Sequence, residues 1–427
     1  MATGPGPWPV ANVTYGSGDG IQETPVVGLT TDTAQNRWLA TNAALYLLRP
    51  GDTRFRRFDA RDGLHLPGNP IQYCDRDFAG GDRSCPIYGA AMAPGITTIE
   101  GGSQGEVFVG YHGRSAGAGD WTDPDRHSGK LDRVRLKGDG SLQVDRMDLV
   151  SSVSAQFWEN RRVDRLLYDH SRRELYVGTN HGVDRLRPDA FRNPKPGEWF
   201  LASTREWLSD HLHPRVCFHK ACTGDESKDT QMIGDWRGLW LAADGDLWVA
   251  GKWTAGKIRW TQQLSQWHAR LGADTFSVAF GDPYDPATGR NPPVFRPPRE
   301  GDPVELSAVA VAKDGTAWFA SGPQNTATRT YGIASWDGKA FRYFDPVRDA
   351  GLPEANVRDL VALPDGRLAV ASFSAVALWD PAASRHTTVA GLPKGTIQRL
   401  ELDQRVAPPS LHVATEQGAA ALRVLPP

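Results

Sequence analysis

With 427 residues and a formal net charge of −2, the chain has room for two or three ordinary domains but no basic field to hold nucleic acid or an anionic membrane. No run approaches the roughly 18 apolar residues that a helical bilayer span requires. A hydrophobic content of 40% excludes a disordered chain, and 45 glycines with 31 prolines suit a fold built on many tight turns.

Seven stretches look like copies of one strand. In chain order they are Arg37-Trp38-Leu39-Ala40-Thr41, Val107-Phe108-Val109-Gly110-Tyr111, Leu175-Tyr176-Val177-Gly178-Thr179, Leu247-Trp248-Val249-Ala250-Gly251, Ala317-Trp318-Phe319-Ala320-Ser321, Leu368-Ala369-Val370-Ala371-Ser372 and Leu411-His412-Val413-Ala414-Thr415. Each sets a large, usually aromatic residue before an aliphatic one or Phe, then Ala or Gly, mostly followed by a small polar residue. A unit repeating from end to end every roughly 40–70 residues predicts a single ring or solenoid rather than several domains.

Each copy has the same surroundings. An apolar stretch precedes it, as in Leu306–Val311 and Val357–Leu363, and Asp-Gly turns at Asp244-Gly245, Asp314-Gly315 and Asp365-Gly366 join the two as hairpins. A small residue and an apolar one then open a third strand, as at Gly182-Val183, Gly256-Lys257-Ile258, Gly332-Ile333 and Gly418-Ala419. The fourth strand is more polar, as in Phe55–Phe58 and Phe341–Phe344. Small and aliphatic residues inside and polar ones outside make the radial gradient of a propeller blade.

The outer strand tends to run into a turn ending in Gly-Leu, at Asp62-Gly63-Leu64, Ala350-Gly351-Leu352 and Ala390-Gly391-Leu392. Val13-Thr14-Tyr15 followed by Gly18-Asp19-Gly20-Ile21 matches that pattern with no first three strands before it, while the C-terminus stops after a third strand at Ala421–Val424. The expected fold is therefore all-β: a seven-bladed β-propeller whose N-terminal strand completes the last blade, removing two exposed edges. The recurring aromatics, such as Trp38, Trp248 and Trp318, are expected to fill wedges between blades.

The units resemble the two-component-regulator propeller repeats of bacterial sensors, which run close to D-x-x-G-x-L-W-x-x-T-x-x-G-L. Asp244-Gly-Asp-Leu-Trp-Val-Ala-Gly-Lys-Trp-Thr-Ala-Gly-Lys-Ile258 and Arg173-Glu-Leu-Tyr-Val-Gly-Thr-Asn-His-Gly-Val183 carry the likeness, which covers nearly the whole chain. It implies an extracytoplasmic sensor or ligand-binding domain, although the membrane span and kinase modules of such a sensor are missing. The Asp244–Ile258 blade is also similar to the streptogramin-lyase type of propeller, a metal-dependent enzyme group whose full catalytic motif cannot be placed here.

Met1-Ala2-Thr3-Gly4-Pro5 has no basic and apolar leader pattern, so the protein is either cytoplasmic or separated from a signal peptide. The four cysteines fall as local pairs, Cys74 with Cys85 and Cys217 with Cys222, and two short-loop disulfides would imply a periplasmic, cell-surface or secreted home. Zinc on Cys217, His219 and Cys222 is the rival reading, with a loose spacing.

The outer-to-inner and second-to-third strand connections leave on one face, and most of the long insertions belong to them: residues 65–95, 146–160, 201–236 and 270–305, with 112–129 between a second and a third strand. Long loops gathered on one side of a rigid scaffold are where binding resides. Register places Tyr111, His112, Asn180, His181, Trp253 and Glu416 there, with Asn42, Lys252, Ser321 and Ser374. Trp236, Arg358, Arg161, Asp164, Asp235, Glu305 and Gln398 join them from the starts of inner strands.

His112 and His181 occupy equivalent sites in neighbouring blades. With Glu416 or Asp235 across the channel they are candidates for a divalent metal or an acid/base pair; the plainer reading has them capping turns. Asp120, Asp123 and Asp125 could hold Ca²⁺ but depart from the EF-hand pattern. Trp199, Trp207, Trp236 and Trp253 suit stacking on sugar rings or pinning of loops. P-loop and His-Glu-x-x-His motifs are absent from the sequence. The function expected is a monomeric, extracytoplasmic propeller that binds a glycan, peptide or envelope protein without catalysis. The alternative is a metal-dependent lyase or hydrolase using His112, His181 and an acid.

Overall fold

The computed structural model describes residues 10–64, 66, 95–111, 131–147, 163–179, 182–190, 210–212, 215–216, 230–231, 236–251, 255–260, 273–278, 306–322 and 332–424. Within them lie seven four-stranded antiparallel sheets and one two-stranded pair, Arg215–Val216 with Thr230–Gln231. The sheets are the blades of a seven-bladed β-propeller. We number them from the inner strands: Val26–Thr31 (blade 1), Ile96–Gly101 (2), Val163–Asp169 (3), Gly238–Leu241 (4), Leu306–Val311 (5), Asp359–Ala362 (6) and Ile397–Asp403 (7).

The seven recurring stretches are the second strands. Blade 7 takes its outer strand from the other end of the chain: Val10–Tyr15 pairs with Gly418–Val424, in a register running from Val10 opposite Val424 to Tyr15 opposite Ala419. The ring is closed by hydrogen bonds between the two ends of the chain, as the sequence predicts.

Seven apolar clusters make the core, and each joins two neighbouring blades. The aromatic residues of the repeat, Trp38, Phe108, Tyr176, Trp248 and Trp318, each pack toward the next blade. Trp38 meets Ile99 and Val109 of blade 2, Phe108 meets Leu166 of blade 3, and Trp318 meets Leu360 and Trp379 of blade 6. Trp38 is fully buried, and its Nε1 donates to Asp32 Oδ2 at 3.1 Å.

The residue two places later must be small because the next inner strand passes over it. A Cβ on Gly178 would stand 2.1 Å from the Trp236 carbonyl oxygen, and one on Gly110 would stand 2.5 Å from Val163 Cγ1. The small polar residue after it closes the turn into the third strand. Thr179 Oγ1 donates to the Gly182 carbonyl and accepts from its N–H, both at 2.9 Å, and Thr41 and Ser372 hydroxyls accept turn N–H groups in the same way.

Two of the insertions are divided by strands. The outer strand of blade 3 is Asp210–Leu212, inside the span 201–236, so a long connection runs from Leu186 to Asp210 between a third and a fourth strand. Antiparallel alternation assigns that connection to the Asp-Gly hairpin end, opposite the other insertions. The outer strand of blade 4, Ala273–Val278, likewise falls within 270–305. The blade 3 outer strand has three residues, too few to carry an alternation that could be read from the sequence.

Two substitutions test the inter-blade wedge. Trp38→Ala should cost about 3–5 kcal/mol by leaving a cavity, and Gly178→Val at least about 1–3 kcal/mol by overpacking. Both are read from urea denaturation, and a midpoint unchanged in either would contradict this packing.

Candidate functional site

The inner strands begin around the mouth of the central channel, where a cavity of about 260 Å³ opens. Every blade contributes the same position to its wall: Val27, Thr97, Asp164, Arg237, Ser307, Arg358 and Gln398. In five blades this residue is skipped in the pairing with the second strand, as between Val163 and Arg165 or between Ile397 and Arg399, so it is a β-bulge. A bulge turns two successive side chains toward the same region. Hence Arg165 and Arg399, one residue further on, also line the cavity, and Asp359 of blade 6 joins them at the first residue of its strand.

The residue before the mouth position anchors the arrangement. Its backbone N–H donates to the turn of the preceding blade: Ile96 to Asn42 O at 3.0 Å, Trp236 to Thr179 O at 2.9 Å, Leu306 to Gly251 O at 3.1 Å, Val357 to Ser321 O at 3.2 Å and Ile397 to Phe373 O at 2.7 Å. Two mouth hydroxyls are used the same way, Thr97 Oγ1 donating to Val163 O and Ser307 Oγ to Val357 O, each at 2.6 Å. Charged side chains, by contrast, dominate the remainder of the wall.

Two arginines cross the channel. Arg165 of blade 3 donates to Asp359 Oδ2 of blade 6 at 3.0 Å and to the Leu400 carbonyl of blade 7 at 3.4 Å. Arg399 of blade 7 donates to Thr98 Oγ1 at 2.7 Å and the Asp164 carbonyl at 2.8 Å. Burial and the Arg165 charge lower the Arg399 guanidinium to about 10, which still leaves it charged at neutral pH. Arg358 is also lowered, by burial and then by Arg237, against the pull of Asp359. Its guanidinium donates to Gln398 Oε1 at 3.3 Å and lies 5.4 Å from the centre of the Phe373 ring.

Farther along the strands, Glu100 and Glu401 lie three positions past the mouth residues of blades 2 and 7. Burial pushes Glu100 up to about 7, against the Tyr168 N–H that it accepts at 3.3 Å and the charges of Arg165, Arg405 and Arg399. Burial, and then the charge of Glu100, raises Glu401 well above the carboxylate range. At the hairpin end Arg405 donates to Asp403 Oδ1 at 2.8 Å and to the Thr31 carbonyl at 2.6 Å, and its other nitrogen lies 3.1 Å from His170 Nε2. The channel is thus spanned by arginines near both ends, with two carboxyls between them.

Of the residues expected from sequence, Arg358, Asn42, Asp164 and Gln398 meet at the cavity. Tyr111 does not line it: at 1% exposure it packs between blades 1 and 2, its hydroxyl donating to Asp132 Oδ2 at 2.7 Å. Trp236, also 1% exposed, belongs to the core between blades 3 and 4, and the mouth position of blade 4 is its neighbour Arg237. Glu416 sits exposed in a turn of blade 7, accepting from the Thr396 N–H at 3.3 Å, and is not part of the cavity wall.

His112, Asn180, His181 and Trp253 lie outside the described residues, as do Cys74, Cys85, Cys217, Cys222 and the Asp120–Asp125 run. Among the described residues no three His, Cys, Asp or Glu side chains are grouped to hold a metal ion, and the arginine-rich mouth is a poor donor set for a cation. Arg165, Arg237, Asp359 and Arg399 were missed by sequence reasoning.

Comparison with known proteins agrees on the fold. No family model and no curated protein matches the chain. Among solved structures it is similar to a catalytically inactive variant of virginiamycin B lyase from Staphylococcus aureus with quinupristin, at TM-score 0.52 and 11% identity over 98% of this chain and 100% of that one. It is also similar to YCF48 bound to D1 peptide, at TM-score 0.50 and 11% identity over 100% and 99% of the two chains. The Neurospora crassa Pan2 WD40 domain gives TM-score 0.50 and 8% identity over 98% and 96%. The class defined is the β-propeller; at these identities the likeness carries the fold alone.

The carboxyl pair makes a pH prediction. Because Glu100 is raised in the fold, its contribution to stability is full below its unfolded value near 4.5 and is lost as pH rises through about 7. Glu100→Gln should therefore gain on the wild type by on the order of 1–3 kcal/mol between pH 5 and pH 8. Parallel wild-type and variant stability curves across that range, measured by denaturant titration, would refute it.

Proposed function

We propose that the protein is a ligand-binding propeller that receives part of a peptide or protein at the channel mouth, without catalysis. The observation that carries this is the cavity built from one position of every blade and lined by charged groups on the face where most insertions begin. A closed, cross-braced channel suits recognition of a segment at its end rather than passage through it. A propeller of this class, YCF48, has been captured with a peptide, which supports the kind of partner and says nothing of individual residues.

We also propose an extracytoplasmic home, with Cys74 joined to Cys85 and Cys217 to Cys222. Local pairing in connections outside the repeats supports it. A glycan or an envelope protein as partner is a narrower form of the same proposal, which the Trp residues of the insertions support.

Binding at the mouth is tested by selecting peptides from a random library on the wild type and measuring them against two variants. Asn42→Trp, at an exposed position of the cavity wall, should weaken them about tenfold or more, whereas Lys313→Trp, exposed beside an Asp-Gly hairpin, should leave them unchanged. The reverse pattern would move the site to the hairpin face. For the cysteines, thiol titration of protein unfolded without reductant should find none free. Four reactive thiols would refute the disulfides and remove the argument for that location.

A further inference from the structure

The ring closes between blade 7 and blade 1, and that seam differs from the other interfaces at one position of the repeat. Five blades place an aromatic ring in the wedge before the next blade, and blade 6 places Ala369. Blade 7 places His412 there, the only one of the seven that takes up a proton below neutral pH.

His412 is 3% exposed. It hydrogen-bonds across the seam to the Leu29 backbone of blade 1, and its Nδ1 has no partner among the described residues. A neutral ring tolerates this, because one of its nitrogens carries no proton. An imidazolium carries a proton on both, so one buried N–H would be left without an acceptor.

The surroundings do not welcome the added charge. Arg37 of blade 1 and Arg405, just after the inner strand of blade 7, both repel it, and Arg423 of the third strand is turned out to solvent. Glu401, directly opposite His412 in the sheet, is raised well above the carboxylate range by burial and then by Glu100, so it stays neutral in acid. Asp403 attracts the ring, but its oxygens already accept from Thr31 Oγ1 at 2.5 Å and from Arg405 Nε at 2.8 Å. Burial first, and then the two arginines, lower His412 to about 4. Apolar packing offers little reserve, since blade 7 brings Ala414 and Ala419 to the seam and its largest side chain there is Tyr15 of the N-terminal strand.

From the place of this ring and its orphaned nitrogen we propose that the seam between blades 7 and 1 is the acid-labile joint of the propeller, opened when His412 takes up a proton. Opening parts Gln398 and Arg399 of blade 7 from Val27 and Asn42 of blade 1, so one side of the mouth comes apart with it. The open seam binds its proton near the ordinary imidazole value of 6.5, the closed seam only near 4. Closure is therefore at full strength above pH 6.5 and weakens as pH falls toward 4.

Hydrogen–deuterium exchange of the full-length protein at pH 7 and pH 5, corrected for intrinsic exchange rates, reads the joint. Protection along Val26–Thr31 and Ser410–Thr415 should fall about tenfold or more at pH 5, while Ala317–Ser321 and Asp359–Ala362, around the Trp318 wedge, change less than about threefold. His412→Gln keeps a hydrogen-bonding side chain that cannot titrate and should remove the fall. His412→Phe, which restores an aromatic wedge, gives a second reading should that variant not fold.

Equal loss of protection in both pairs of strands would overturn the proposal in favour of a general acid destabilisation. Seam protection unchanged between the two pH values would overturn it outright, and a seam-specific fall that persists in either variant would overturn the part given to His412.

Discussion

Everything in this ring depends on how closely one blade's inner strand lies against the second strand of the blade before it. Gly110 and Gly178 admit the neighbouring strand where any side chain would collide with it. The N–H groups of Trp236, Leu306, Val357 and Ile397 then fix its height by bonding to the preceding turn. Fold and site share this contact. The residue right after the anchoring N–H is the one that lines the mouth, so packing between blades sets the position of the mouth-lining side chains.

The same contact explains why the mouth can carry so much charge. Its side chains project from the starts of inner strands that are bonded to the preceding blade. Buried guanidiniums are tolerated because they are delocalised, weakly hydrated and rich in donors. Arg165 and Arg399 use those donors to tie blades 2, 3, 6 and 7 together across the axis. Deeper in, Glu100 and Glu401 lie among Arg165, Arg399 and Arg405, and burial keeps them reluctant to ionise. Arg165 and Arg399 brace the channel, while Arg237 and Arg358 line its mouth.

The repeat and the blade count were legible in the sequence because a packing need recurs seven times, and the closure because the two ends carry complementary parts of one blade. The mouth was only partly legible. Arg358, Asp164, Gln398 and Asn42 follow from strand register, but in blade 4 the sequence reading took Trp236, which packs into the core, in place of its neighbour Arg237. In blades 3 and 7 a bulge brings two consecutive residues to the cavity, so Arg165 and Arg399 go unnoticed in a strict alternation. Superposing Val163-Asp164-Arg165-Leu166, Trp236-Arg237-Gly238-Leu239, Val357-Arg358-Asp359-Leu360 and Ile397-Gln398-Arg399-Leu400 reveals the pattern: two variable positions between apolar ones. Tyr111 misled for a related reason. It replaces the small polar turn residue, and its size sends the ring into the blade interface.

The central claim is that seven inner-strand starts form one binding site. Hydrogen–deuterium exchange on the full-length protein, with and without a peptide selected on the wild type, tests it most directly. The account predicts protection at the strand starts, around residues 96–98, 164–166, 237–239, 358–360 and 398–400, in separate blades at once. Protection confined to the Asp-Gly hairpins at 244–245, 314–315 and 365–366, with the strand starts unchanged, would contradict it.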